Sequence, residues 1–197
     1  MKKLILSTLL IVTFSFNVFA QDQGEFEIGV GIGVNFASFF GDDADLVGAN
    51  TRTSFLAGVT GEYFFNDRWG IKSGLIFDSK GSEFNGGGEA RLNYLFIPIY
   101  ANWHFGRNRG WYLNFGPHVD FLLSAENEDD EDVSDVISST DVGLGVGIGY
   151  KFRLSDSIKL FIEYQAAGGF IPVIDTGDSD DPDFTNTRGG FKVGILF

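Results

Sequence analysis

Apolar and polar side chains alternate along most of this chain with a period of two. Between positions 26 and 36, Phe26, Ile28, Val30, Ile32, Val34 and Phe36 share one face, while Glu27, Gly29, Gly31, Gly33 and Asn35 share the other. A helix repeats every 3.6 residues, so this spacing predicts a strand. Eight such segments are read: 26–36, 54–64, 69–78, 91–105, 111–123, 142–154, 158–166 and a last one that ends on Phe197. A tilted strand of about ten residues crosses a bilayer, and these segments are of that order.

The connections carry independent information. Those at 65–68, 106–110 and 155–157 are short, and those at 37–53, 79–90, 124–141 and 167–188 are long. Long loops on one side and short turns on the other are the habit of outer-membrane barrels. The fold class expected is therefore all-β, an eight-stranded antiparallel up-and-down transmembrane β-barrel. An even strand number puts both termini on the short-turn side, which is expected to be periplasmic.

One face of each segment is large and apolar, and the other is sparse and rich in glycine. A lipid-facing exterior needs that arrangement, whereas a soluble lipocalin-like barrel, the alternative, would turn its polar set outward. Tyr63, Trp69, Trp103, Phe105, Trp111, Tyr150, Phe152 and Phe197 all fall near the short turns or the terminus. They form an expected aromatic girdle at one membrane interface.

The N-terminus reads as an export signal over residues 1–20. Lys2 and Lys3 are followed by an apolar run, and Val18-Phe19-Ala20 offers a cleavage site. The barrel domain is then 21–197. No Cys follows the cleavage site, so a lipoprotein anchor is excluded.

Composition removes several classes of function. The chain has 27 acidic against 14 basic residues and a net charge of −13. Nucleic acid is not an expected partner, because phosphate contacts need basic clusters. With no cysteine, disulfides, thiol catalysis and Cys-based metal sites are all absent.

Eight strands leave a lumen just wide enough to be filled by side chains. Glu27, Glu62, Lys72, Asp120, Lys151, Arg153, Lys159, Glu163 and Lys192 fall on the inward face. Buried charges must pair or cost several kcal/mol each. An internal network of ion pairs is expected rather than an open pore, with inward glycines on two strands facing large residues on the fourth.

No motif points to a cofactor. Gly29-Val30-Gly31-Ile32-Gly33 has Gly-x-Gly-x-Gly spacing and no helix after it, so it is not a dinucleotide loop. The long loops hold most of the acidity and are expected to be solvated and mobile. Asp129, Asp130, Asp132, Asp178, Asp180 and Asp181 are the candidate Ca²⁺ ligands, although none has EF-hand spacing. His104 is placed at the periplasmic rim and His118 in the lumen, and no nucleophile joins either of them. An enzyme is not expected.

Tyr94-Leu95-Phe96-Ile97-Pro98-Ile99-Tyr100 resembles the Tyr-Leu-x-Ile-Pro-Leu segment of PorT-like outer-membrane β-barrel domain proteins of Bacteroidetes type. The surrounding order is similar too: an export signal, a glycine-rich first strand, the turn Phe65-Asn66-Asp67-Arg68-Trp69-Gly70, this segment, then a terminal Phe. Phe96 stands where that family often carries Glu. The resemblance implies an eight-stranded barrel in the outer membrane, with one branch serving protein secretion and gliding. Expected partners are outer-membrane lipid, the barrel assembly machinery acting through Phe197, and an envelope protein. The expected role is a structural or interaction one through acidic extracellular loops. A narrow pore or transporter remains the alternative.

Overall fold

The computed structural model describes residues 24–177 and 182–197. The expected signal segment 1–20, and Asp178, Asp180 and Asp181, lie outside the described residues.

Eight strands follow one another around a closed barrel: β1 (Phe26–Phe40), β2 (Ala49–Phe64), β3 (Trp69–Phe84), β4 (Glu89–Phe105), β5 (Trp111–Glu126), β6 (Thr140–Arg153), β7 (Lys159–Gly169) and β8 (Thr185–Leu196). Each pairs antiparallel with the next, and β8 returns to β1 with Val34 opposite Phe191 and Gly31 opposite Gly194. Phe197 extends that seam: its N–H donates to Ile28 O at 2.8 Å, and its carbonyl accepts from Ile28 N at 3.3 Å. Closure leaves no unpaired edge, which a chain in hydrocarbon requires.

The direction of the alternation decides between membrane and soluble barrels. Ile32 is 66 % exposed, Phe55 58 % and Leu144 56 %, whereas Glu27, Asn35 and Asp120 are buried. The apolar faces point out and the polar faces point in, which overturns the soluble lipocalin-like alternative.

The strands are longer than hydrophobic alternation alone predicts, and always at the long-loop end. β2, β3, β4 and β5 run 16, 16, 17 and 16 residues. About ten suffice to span the apolar layer. The expected loop 79–90 is mostly ladder, with Ser79 opposite Asn93 and Glu83 opposite Glu89. β8 likewise begins at Thr185, inside the expected loop 167–188. Past the regular apolar alternation the hydrogen-bonded ladder continues. Gly81, at φ +115°, bends β3 where a side chain would meet the Ala90 carbonyl.

The loops at this end are not separate and mobile. Phe39, Ala44, Leu92, Tyr94, Ala125, Val173 and Phe184 form one buried cluster. It joins the tops of β1, β4 and β5 to a short helix, α1 (Asp42–Leu46), and to the β7–β8 connection. Phe39 and Phe184 stack with centroids 4.7 Å apart. Ile137 bridges Ile174, and Ser138 N donates to Val173 O at 2.9 Å, which ties the β5–β6 connection to the β7–β8 connection. The loops thus pack as a lid over the barrel mouth.

Candidate functional site

The lumen is filled in layers, and each layer is held by an ion pair between distant strands. Nearest the short turns, Lys151 of β6 donates to Glu27 of β1 at 2.6 Å and to Glu62 of β2 at 2.8 Å. Lys159 also pairs with Glu27, and His104 Nε2 lies 2.6 Å from Glu62 Oε1. In the middle, Glu163 of β7 takes Lys72 at 2.5 Å, Lys192 at 3.0 Å and the Asn114 amide at 2.8 Å. Toward the lid, Arg188 pairs with Asp78 at 2.6 Å, Lys80 with Asp120 at 2.6 Å, and Asn35 donates to Asp78. Alternating signs on opposite walls make burial of these charges tolerable.

Eight of the nine sequence-predicted interior charges lie in this network. Arg153 does not. It is exposed at the last position of β6, where the pleat still points inward but the barrel wall has ended. Lys80, Asp141 and Arg188 are interior charges that the sequence reading assigned to loops. All three lie toward the long-loop ends of their strands, at or past the limit of the apolar alternation. Asp78, at the end of the third expected segment, is a further interior charge and is fully buried. His104 and His118 both face the lumen, and His118 Nδ1 lies 3.3 Å from Asp120 Oδ2.

The inward glycines of β6 make room for large residues of β4 and β5. A Cβ on Gly143 would meet His118 at 2.7 Å, one on Gly147 would meet Asn114 at 2.5 Å, and those on Gly145 and Gly149 would collide with Tyr100 and Tyr112. Gly31 and Gly194 do the same for Phe161. Phe96 lies beneath two cations, with the Arg188 guanidinium 4.6 Å and Lys80 Nζ 5.6 Å from its ring centre. The ring face offers the cations a partial negative charge.

The girdle residues form a continuous arc on the outer wall. Centroid separations are 6.2 Å for Trp69–Trp103, 5.0 Å for Trp103–Phe105, 6.3 Å for Phe105–Trp111, 5.1 Å for Trp111–Tyr150 and 4.6 Å for Tyr150–Phe152. Tyr63 and Phe197 are exposed at the same end but stand outside this run.

The candidate calcium loop has a different centre. The Arg91 guanidinium gathers Asp130, Glu126 at 3.7 Å, Glu89 at 3.4 Å and the Asn127 carbonyl at 3.3 Å. Asp132 turns away to accept from Ser134 N at 2.9 Å, and its bonds with Ser134 hold its carboxyl below the ordinary range. Asp129 is exposed. Among the described residues no group of three or more His, Asp or Glu side chains is placed to hold a metal ion.

At the short-turn end the barrel opens into a vestibule of about 1130 Å³. Its floor is the Glu27–Lys151–His104 layer, and its rim carries Asp67, Arg107, Arg109 and Arg153. Closed above by a packed lid and open below to a charged cup, the barrel has two chemically distinct ends.

Comparison with known proteins agrees with this architecture. Residues 19–175 match the model of the outer membrane protein beta-barrel domain. The chain belongs to that family. It is a small eight-stranded barrel of the outer membrane. No curated protein sequence matches it. Among solved structures, Neisserial surface protein A is similar at a TM-score of 0.54 and 13 % identity, covering 86 % of this chain and 95 % of that one. The outer membrane protein OprG from Pseudomonas aeruginosa is similar at a TM-score of 0.50 and 16 % identity, covering 91 % and 98 %. At such identities the likeness is one of fold.

Proposed function

We propose that this barrel is a non-enzymatic interaction protein that presents its packed, acidic lid outside the cell and keeps its lumen shut. The observation that carries this reading is the lid itself. A hydrophobic cluster under the loops, with Phe184 at 3 % and Val173 at 2 % exposure, gives them one fixed shape while their carboxylates stay on the surface. A preformed acidic surface binds a basic partner without the ordering cost of a mobile loop. In this reading the partner is a protein of the envelope or of a neighbouring cell surface, in keeping with the secretion-linked branch of the PorT-like resemblance.

The reading places both termini and the short turns in the periplasm, the signal at 1–20, the mature barrel at 21–197, and Phe197 as the contact for the assembly machinery. The exposed aromatic ring of Phe197 at the end of the β8–β1 seam supports that last role. In the non-enzymatic reading the lumen histidines His104 and His118 are structural, each buried against a carboxylate, Glu62 and Asp120.

The test is cysteine labelling in intact cells together with planar-bilayer recording. Asp129→Cys is expected to react with an impermeant maleimide from outside, and Asn108→Cys only after the outer membrane is opened. Purified protein is expected to give no conductance steps. Labelling of Asn108→Cys from outside would reverse the topology, and stable conductance steps would return the narrow-pore reading.

A further inference from the structure

The short-turn rim holds more positive charge than it neutralises. Asp67 pairs with Arg109, and Glu27 is shared between Lys151 and Lys159. Arg107 and Arg153 have no ion pair among the described residues. Arg153 also stands directly opposite Lys159 across the β6–β7 ladder. Like charges in opposed positions are destabilising, and a bound anion relieves them. In a chain with net charge −13, a mouth lined by five cations, Arg107, Arg109, Lys151, Arg153 and Lys159, against the carboxylates Glu25, Glu27 and Asp67 is a local inversion of sign.

A second hollow lies immediately outside this mouth, on the lipid side of the wall. It is an apolar furrow of about 540 Å³ flanked by Trp111, Ile148, Ile162, Tyr164 and Phe191. Tyr150 and Phe152 line both this furrow and the vestibule. Their rings sit edge-to-face at 4.6 Å and form the sill between the two spaces. Gly149 lies in the floor of the furrow. A single ligand that fills the furrow and reaches over the sill must have an apolar tail and an anionic head.

The geometry points to a bound anionic phospholipid of the short-turn leaflet, with one acyl chain in the β6–β8 furrow and its phosphate at Arg107 and Arg153. Arginine suits a phosphate because its planar fork donates two parallel hydrogen bonds. Tryptophan and tyrosine at the same level belong at the headgroup boundary. The inference rests on the membrane embedding of the barrel and is independent of what the lid binds.

The experiment is native mass spectrometry of the detergent-extracted barrel after incubation with equal mole fractions of palmitoyl-oleoyl phosphatidylglycerol and phosphatidylcholine. Phosphatidylglycerol is expected to be retained preferentially. R107Q/R153Q is expected to lower that retention roughly thirtyfold, from about 1 kcal/mol for each basic residue at a membrane surface. R107K/R153K keeps the charge and should keep most of the preference. Ile162→Trp, which fills the furrow, should weaken retention with the arginines intact. Heat-dependent gel mobility establishes that each variant is folded. Equal retention of both lipids overturns the inference, as does a preference that R107Q/R153Q leaves unchanged. Glycerol phosphate binding as well as the lipid would overturn the lipid source, since the furrow would then contribute nothing. None of these outcomes alters the labelling pattern that tests lid topology, so the two readings fail separately.

Discussion

Lys72 and Glu163 meet at 2.5 Å in the middle of the lumen, although they stand on β3 and β7, opposite walls of the barrel. The contact is a cross-tie through the whole lumen. Lys192 shares the same carboxylate at 3.0 Å, so one anion balances two buried cations.

Removing that anion should be costly. Glu163→Ala leaves Lys72 and Lys192 buried without a charged partner, and breaking a buried pair costs about 3–5 kcal/mol. The expected result is a lower midpoint in urea unfolding of the barrel in micelles. A wild-type midpoint would mean that solvent reaches this layer.

Packing between β4 and β6 depends on the absence of a side chain at Gly145. A Cβ there collides with the Tyr100 hydroxyl. Gly145→Ala is expected to destabilise by about 1–3 kcal/mol, the range for overpacked cores. Gly145→Ala/Tyr100→Phe removes the colliding oxygen and should recover part of the loss in the same titration, the ring Cζ at 2.8 Å remaining close. No recovery would mean that the backbone, not the hydroxyl, sets the limit.

The aromatic arc should sit at one depth. Trp69, Trp103 and Trp111 are expected to be quenched most by lipids brominated close to the headgroup. Trp103→Ala breaks contacts with both Trp69 and Phe105 and should cost about 1–3 kcal/mol, from two pairs worth about 0.5–1.5 each. Strongest quenching by mid-chain bromine would displace the interface from this end of the barrel.

The lid should come loose without opening the barrel. Phe184→Ala removes the ring stacked on Phe39. The loss is on the scale of about 3–5 kcal/mol for a buried Phe, and it is expected to fall on the loops. Faster trypsin and Glu-C cleavage near Arg91 and Glu131 is expected, with the heat-dependent gel shift retained. Loss of the gel shift would show that lid and barrel unfold as one unit.

Within the bilayer, the sequence could be read residue by residue. Lipid on one side and packed polar groups on the other force strict alternation, so Phe26, Val30 and Ile32 announce their exposure and Glu27 and Asn35 their burial. Above the bilayer that contrast disappears. Lys80 and Arg188 have polar or glycine neighbours in sequence, and Asp141 falls one residue before the apolar run that starts at Val142, so all three look like loop residues in the one-dimensional pattern. Arg153 fails in the opposite direction, because its parity is inward but the wall has ended. The acidic loops read as solvated runs. The apolar residues that bind them together, Ala44, Val173 and Phe184, are single positions with no periodicity to mark them.

By itself, then, the alternation of side chains determined that this chain forms a barrel with an apolar exterior, because a period of two and a lipid solvent allow little else. Which lumen charges meet, how the loops close over the mouth, and where a cationic rim adjoins an apolar furrow were decided only by closure of the sheet. Those contacts join residues far apart in sequence, and their positions depend on the register and curvature of all eight strands together.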